Sequence, residues 1–264
     1  MRISSTHYQL GIPPVIGTGL GVSAQDLDAE LAGSTAELVF DDAGKRDLRG
    51  LLEGLAETQF AKDNLEALLT DDGTPEDWRV GEALAERYLT EHHDCFFPWP
   101  DGRDERKRGS SLPGADLAGF QHRVGRERFA FGEVKTSAEA AYPPGVVYGR
   151  HGLKQQMEDL RGCREVRDDL VRYLGHRAPN ASWQTRYQAA AETYLNDTCD
   201  VRIFGLLVRD VDPHQDDLRA RVSALATGCP GATVIELTAL YLPAGSIATL
   251  ASKAVASRQA RGGS

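Results

Sequence analysis

The sequence is poor in sulfur, with four cysteines and two methionines in 264 residues. Cys95, Cys163, Cys199 and Cys229 stand far apart with no Cys-x-x-Cys pair, so neither a disulfide framework nor a zinc ribbon is supported and reduced thiols are expected. No apolar run approaches the ~20 residues of a membrane helix, so no membrane span is expected. The opening Met1-Arg2-Ile3-Ser4-Ser5-Thr6-His7-Tyr8 has no apolar stretch of the kind a secretory leader needs, and a cytoplasmic address follows as the expectation. Gly-x-Ser-x-Gly and His-Glu-x-x-His are both absent, which removes the usual serine-hydrolase and zincin signatures. No repeat recurs at a period of 20–50 residues, which excludes a solenoid. Gly17-Thr18-Gly19-Leu20-Gly21 is followed by Val22-Ser23 where a phosphate loop needs Lys and Ser/Thr, and Pro13-Pro14 stands where a dinucleotide loop needs a strand.

Excess positive charge is lacking too. The formal net charge is −9, against a protein that coats nucleic acid indiscriminately. Its distribution is uneven: residues 1–96 hold 7 Lys/Arg and 19 Asp/Glu, residues 97–156 hold 10 and 7, and the remainder 13 of each. The middle segment, with Arg103, Arg106, Lys107, Arg108, Arg123, Arg126 and Arg128, has a spacing suited to the phosphates of a polyanion; the plainer reading is a solvated loop of mixed charge. The acidic N-terminal part suits a protein partner better than DNA.

Hydrophobic periodicity orders the chain. A short strand is expected at Ala36–Phe40, a helix over 45–69, a second helix from Thr74-Pro75 to about His92, and an extended piece at Phe96–Trp99. Two strands follow, Ala115–Gln121 and Arg128–Thr136, joined at Gly125. A long helix is expected from Gly152 to Leu174, another over Trp183–Tyr194, and a buried strand over Val201–Val208. A helix near Gln215–Ala226, a strand at Thr233–Leu237 and a helix over Ile247–Arg258 complete the pattern. The fold class read from this order is α/β, a mixed central sheet flanked by helices.

Chemistry concentrates in Gly114-Ala115-Asp116-Leu117-Ala118-Gly119-Phe120 and, 17 residues beyond Asp116, in Gly132-Glu133-Val134-Lys135-Thr136. Side chains alternate along a strand, so Glu133 and Lys135 share one face and Val134 points into the core. Two carboxylates and an ammonium then meet at neighbouring strand ends, where the oxygens suit Mg²⁺ or Mn²⁺ and the lysine can orient water or stabilise phosphate charge. A charged pair on an exposed edge strand is the competing reading. His92-His93-Asp94-Cys95 reads as a polar cap, because consecutive residues at a helix end do not converge on one ion. His151, near a helix start, either assists at a phosphate or is solvated.

These residues resemble the PD-(D/E)XK nuclease superfamily, in which an Asp after a small turn precedes Glu-x-Lys on the following strand. Pro113 precedes Asp116 by three positions here, whereas the two are adjacent in the family's name. Glu82 on the preceding helix and Lys154-Gln155-Gln156 on the following one match further family positions, so the resemblance covers about residues 78–208. It implies a restriction-endonuclease-like core at 74–264 behind an N-terminal α/β extension at 1–73, which would bind a partner. It further implies Mg²⁺-dependent DNA cleavage with Asp116, Glu133, Glu82 and the backbone carbonyl of Val134 around the metal. Lys135 would act at the attacking water, and Gln155 or Gln156 would position substrate or water. Arg106, Lys107, Arg108, Arg126 and Lys154 are the candidate nucleic-acid contacts. The overall plan is also similar to the nuclease subunits of the Hachiman anti-phage defence system (HamA), which implies a helicase that holds the nuclease inactive until DNA damage or invading DNA releases it. The alternative is a catalytically inactive, nuclease-fold interaction subunit of a defence or DNA-processing complex.

Overall fold

The computed structural model describes residues 1–70, 73–100, 103 and 114–262. Seven strands form one mixed sheet in the order β1-β2-β7-β6-β5-β4-β3. They are β1 (Ser5–Ile12), β2 (Val15–Gly21), β3 (Cys95–Phe96), β4 (Leu117–Arg123), β5 (Arg126–Ser137), β6 (Arg202–Arg209) and β7 (Val234–Tyr241). The inner four, β2, β7, β6 and β5, run parallel, while β1, β4 and β3 are antiparallel to their neighbours. β6 and β7 are buried almost throughout, as parallel strands covered on both faces must be.

The described residues form ten α-helices: α1 (Ala24–Ala32), α2 (Ser34–Val39), α3 (Asp42–Leu52), α4 (Gln59–Leu69), α5 (Asp77–His92), α6 (Leu153–Gly162), α7 (Arg164–Arg177), α8 (Gln184–Asn196), α9 (Arg219–Ala226) and α10 (Leu250–Gly262). The two sheet faces bury separate cores. Phe129 and Phe131 of β5 pack with α6 to α9, whereas Ala130 and Val134 pack with α1, α5 and α10. No helix among the described residues is long and apolar enough to cross a membrane.

Three expectations change. Ala36–Phe40 forms the end of α2 and its C-cap, Phe40, rather than a strand, because Ala36 and Phe40, one helical turn apart, bury together against Ala254 of α10. The span 45–69 divides into α3 and α4, Thr58 capping the second by accepting the Ala61 N–H at 3.2 Å. The span 152–174 divides at Cys163. Gly17–Gly21, excluded above as a phosphate or dinucleotide loop, lies in strand β2. A Cβ at Gly19 would overlap the Tyr8 ring and one at Gly17 would lie 2.6 Å from Val222, so these glycines mark close packing over a strand. Residues 1–69 thus supply the β1–β2 edge, through the β2–β7 pairing, and helices α1 to α4.

Helix α5 reaches β5 where Gly81 meets Thr136, next to Glu82 on one element and Lys135 on the other. A Cβ at Gly81 would overlap the Thr136 hydroxyl and come within 3.2 Å of Thr136 Cβ. Gly81→Ala therefore forces the helix off the strand. It should destabilise the fold by about 1–3 kcal/mol, the usual cost of overpacking, measured as a fall in denaturant midpoint at unchanged m value.

Candidate active site

Asp116 stands immediately before β4. The β4–β5 ladder pairs Leu117 with Gly132, so one step further sets Asp116 against Glu133. The Asp116 carboxylate accepts the Val134 N–H at 2.7 Å. Glu133 and Lys135 project on the α6-to-α8 side of β5 and Val134 is buried on the other, as strand alternation requires. Lys135 Nζ donates to Glu133 Oε1 and lies 3.7 Å from Asp116 Oδ2.

Only 2% of Glu133 is exposed, and its second oxygen, Oε2, is buried with no hydrogen-bond partner. Burial first, and the Asp116 charge second, push the Glu133 carboxyl up to about 8 against the pull of Lys135. Burial likewise raises Asp116. For Lys135, burial works downward, but Asp116 and Glu133, with a lesser contribution from Glu82, outweigh it and hold the ammonium above its ordinary value. The site is thus short of one positive charge when both carboxylates ionise.

Asp116, Glu133 and Lys135 open into a cleft of about 970 Å³. The connection from β5 to α6 contributes Arg150 and His151; α6 contributes Gln155, Gln156 and Asp159; α7 contributes Val166, Asp169, Leu170 and Tyr173. Gln155 Nε2 donates to Asp159 Oδ1 at 2.8 Å, which orients that amide. The connection is tied at its start by Arg209, fully buried at the end of β6. Its guanidinium donates to the carbonyls of Ser137 at 2.9 Å and Ala141 at 2.8 Å and faces Asp217 at 3.3 Å.

Of the residues expected at the site, the fold brings Asp116, Glu133, Lys135, Gln155 and Gln156 to one cleft. Glu82 is half-buried on α5, across the sheet, and does not line it, although its charge acts on Lys135. Lys154 lies on α6 outside the cleft lining. Arg126 begins β5, seven residues before Glu133 and so about 23 Å along the strand, at the exposed hairpin end. Arg106, Lys107 and Arg108 fall outside the described residues. His92 and His93 close α5 without sharing an ion: His92 Nε2 donates to the Met1 carbonyl at 2.8 Å, and His93 Nδ1 pairs with Glu236 at 3.1 Å. Arg150, Asp159, Asp169 and Tyr173 went unrecognised in the sequence. Only Asp159 carried a signal, its i+4 spacing from Gln155.

Among the described residues, no three His, Cys, Asp or Glu side chains form a metal cage. Two carboxylates are enough for Mg²⁺, which keeps several waters and takes few protein ligands. The orphaned Glu133 oxygen beside Asp116 fits such an ion better than it fits a closed salt bridge.

The folded metal-free protein holds a proton on Glu133 that the unfolded chain, with an ordinary carboxyl value of 4.5, has already released. Its contribution to stability therefore falls as pH rises from 4.5 to about 8. Thermal midpoints across that range should decline more steeply in wild type than in Glu133→Gln. Added Mg²⁺ should stabilise wild type increasingly towards high pH, since it favours the ionised pair.

A scan against protein-family models and a search of curated proteins both return no match.

Proposed function

We propose that the protein is a divalent-metal-dependent nuclease that hydrolyses phosphodiester bonds of DNA. One observation carries this reading: Asp116, Glu133 and Lys135 converge at a cleft where a buried carboxylate oxygen has no partner. Asp116 and Glu133 would hold Mg²⁺ or Mn²⁺, with the Val134 carbonyl as the further ligand that the PD-(D/E)XK resemblance suggests. The ion would supply Lewis-acid stabilisation of charge on the phosphate. Lys135, held between the carboxylates, would orient the attacking water and keep positive charge beside the phosphate as negative charge builds. Arg150 and His151 border the same space and would bind the phosphate's remaining oxygens. Glu82 would act on the ammonium electrostatically.

A plasmid-nicking assay with Mg²⁺ or Mn²⁺ tests the reading. Lys135→Ala should lower the rate at least ~10²-fold while metal binding persists. Asp116→Ala should abolish both cleavage and the calorimetric signal of metal binding. Wild-type protein that binds metal no better than Asp116→Ala would overturn the assignment.

Control by a protein subunit is the second part of the proposal, a helicase being the partner that the Hachiman resemblance suggests. Helix α3 buries none of its side chains, and the α3–α4 hairpin exposes Leu51 at 73%, Leu55 at 76%, Phe60 at 76% and Leu68 at 63%. Large apolar side chains gathered on one exposed hairpin are characteristic of interaction surfaces. Replacing Leu51, Leu55 and Phe60 with Ser should change stability by no more than about 0.5 kcal/mol each and leave nicking intact. Co-purification of a partner from the native host should be lost.

A further inference from the structure

The cleft has two chemically different walls. Lys135, Arg150 and His151 stand on the strand-and-loop side beside the carboxylates, whereas α7 presents Val166, Leu170 and Tyr173. Asp169, also on α7, is ion-paired with Arg172. The first wall suits phosphate and the second suits an uncharged planar group.

Tyr173 is held as a platform. The Arg177 guanidinium lies 3.8 Å from the ring centroid, and its Nη1 donates to the carbonyl of Tyr173 itself at 2.9 Å. Arg177 also packs on Trp99 at 5.5 Å, and Trp99 on Arg103 at 5.0 Å. Arg103 is fastened to Asp41 by two hydrogen bonds of 2.7 Å. A tyrosine, an arginine, a tryptophan and a second arginine thus form a stack anchored at its far end, with Tyr173 as the member that borders the cleft. Fixing an aromatic ring before the ligand arrives lowers the entropy lost on binding, and a guanidinium against the ring is the usual cation–π arrangement.

On the nuclease reading proposed above, we infer that Tyr173 is a nucleobase-stacking platform and that the cleft takes an unpaired nucleotide, base against α7 and phosphate against Lys135, Arg150 and His151. A base inside an intact duplex has both faces covered by its neighbours and cannot present one to Tyr173. The substrate class is therefore single-stranded nucleic acid.

The test is binding of a fluorescent single-stranded oligonucleotide to the full chain in Ca²⁺, compared with the same strand carrying abasic positions and with its duplex. The intact strand should bind about 5- to 150-fold more tightly than the abasic strand, the range that one stacked base contributes. Tyr173→Ala and Tyr173→Leu should erase that preference and Tyr173→Trp should keep it, each variant melting as wild type does. Because the abasic comparison is made on wild-type protein, a misfolded variant does not remove the test. Equal affinity for intact and abasic strands, or tighter binding of the duplex, overturns the stacking platform while leaving metal-dependent cleavage untouched. Absence of cleavage of both plasmid and single-stranded DNA by wild type in Mg²⁺ or Mn²⁺ overturns the nuclease reading, with the stacking comparison still decided by binding alone.

Discussion

Asp116 and Glu133 face each other across the β4–β5 ladder, and removing both from water in one place costs free energy that a single lysine offsets only in part. The cost appears as a Glu133 carboxyl pushed up to about 8 and as a buried oxygen left without a donor. A protein that only needed a stable strand would gain by putting apolar residues there, as it does two and four residues earlier with Phe131 and Phe129. Strain of this kind clusters at functional sites, and a divalent cation or a proton would each relieve it.

The rest of the structure supplies the frame that keeps those carboxylates from moving apart. Val134, between the two charged residues, is locked into the opposite core, and its N–H anchors the Asp116 carboxylate at 2.7 Å. Gly81 lets α5 lie against Thr136, so the strand is pinned next to Lys135 from behind. Arg209 ties the exit of β5 to the end of β6 by its bonds to Ser137 and Ala141, which fixes the start of the connection that carries Arg150 and His151. Cutting away the Arg209 guanidinium would take a donor from two carbonyls and the ion-pair partner from Asp217, whose carboxylate would keep its bond from the Tyr241 hydroxyl. Its importance to the cleft is thus mechanical, exerted through the backbone it holds.

The trio was legible in the sequence because its geometry follows from two local rules: strand alternation places Glu133 with Lys135, and a short turn at Gly125 folds Asp116 back beside them. The helices and inner strands were legible for the same reason, each carrying its own period. What was not legible depended on partners distant in sequence. β2 draws no strand expectation, because three of its seven residues are glycines, two of them closely packed by Tyr8 and Val222. The apolar run at Ala36–Phe40 is too short to show a period, and its helical form is decided by Ala254, more than two hundred residues away. The breaks at residues 53–58 and at Cys163 interrupt apolar spacing that continues almost in phase on either side. Tyr173 carries no sequence mark, because its place at the cleft depends on how α7 packs against β4.

Net charge and local charge act on different length scales in this molecule. The formal −9 of the whole chain repels a polyanion, but at physiological salt such repulsion is screened beyond about 8 Å. Inside the cleft the balance is set by neighbours: two crowded carboxylates against Lys135 and Arg150, with Asp159 engaged by Gln155 and Asp169 by Arg172. On the proposed nuclease reading, ionising both carboxylates without a cation would leave the centre repelling the phosphate that Arg150 attracts. One divalent ion would reverse that sign at the point where the phosphate must approach. Metal occupancy and strand binding would therefore be coupled through the same two carboxylates, each tightening the other by an equal factor.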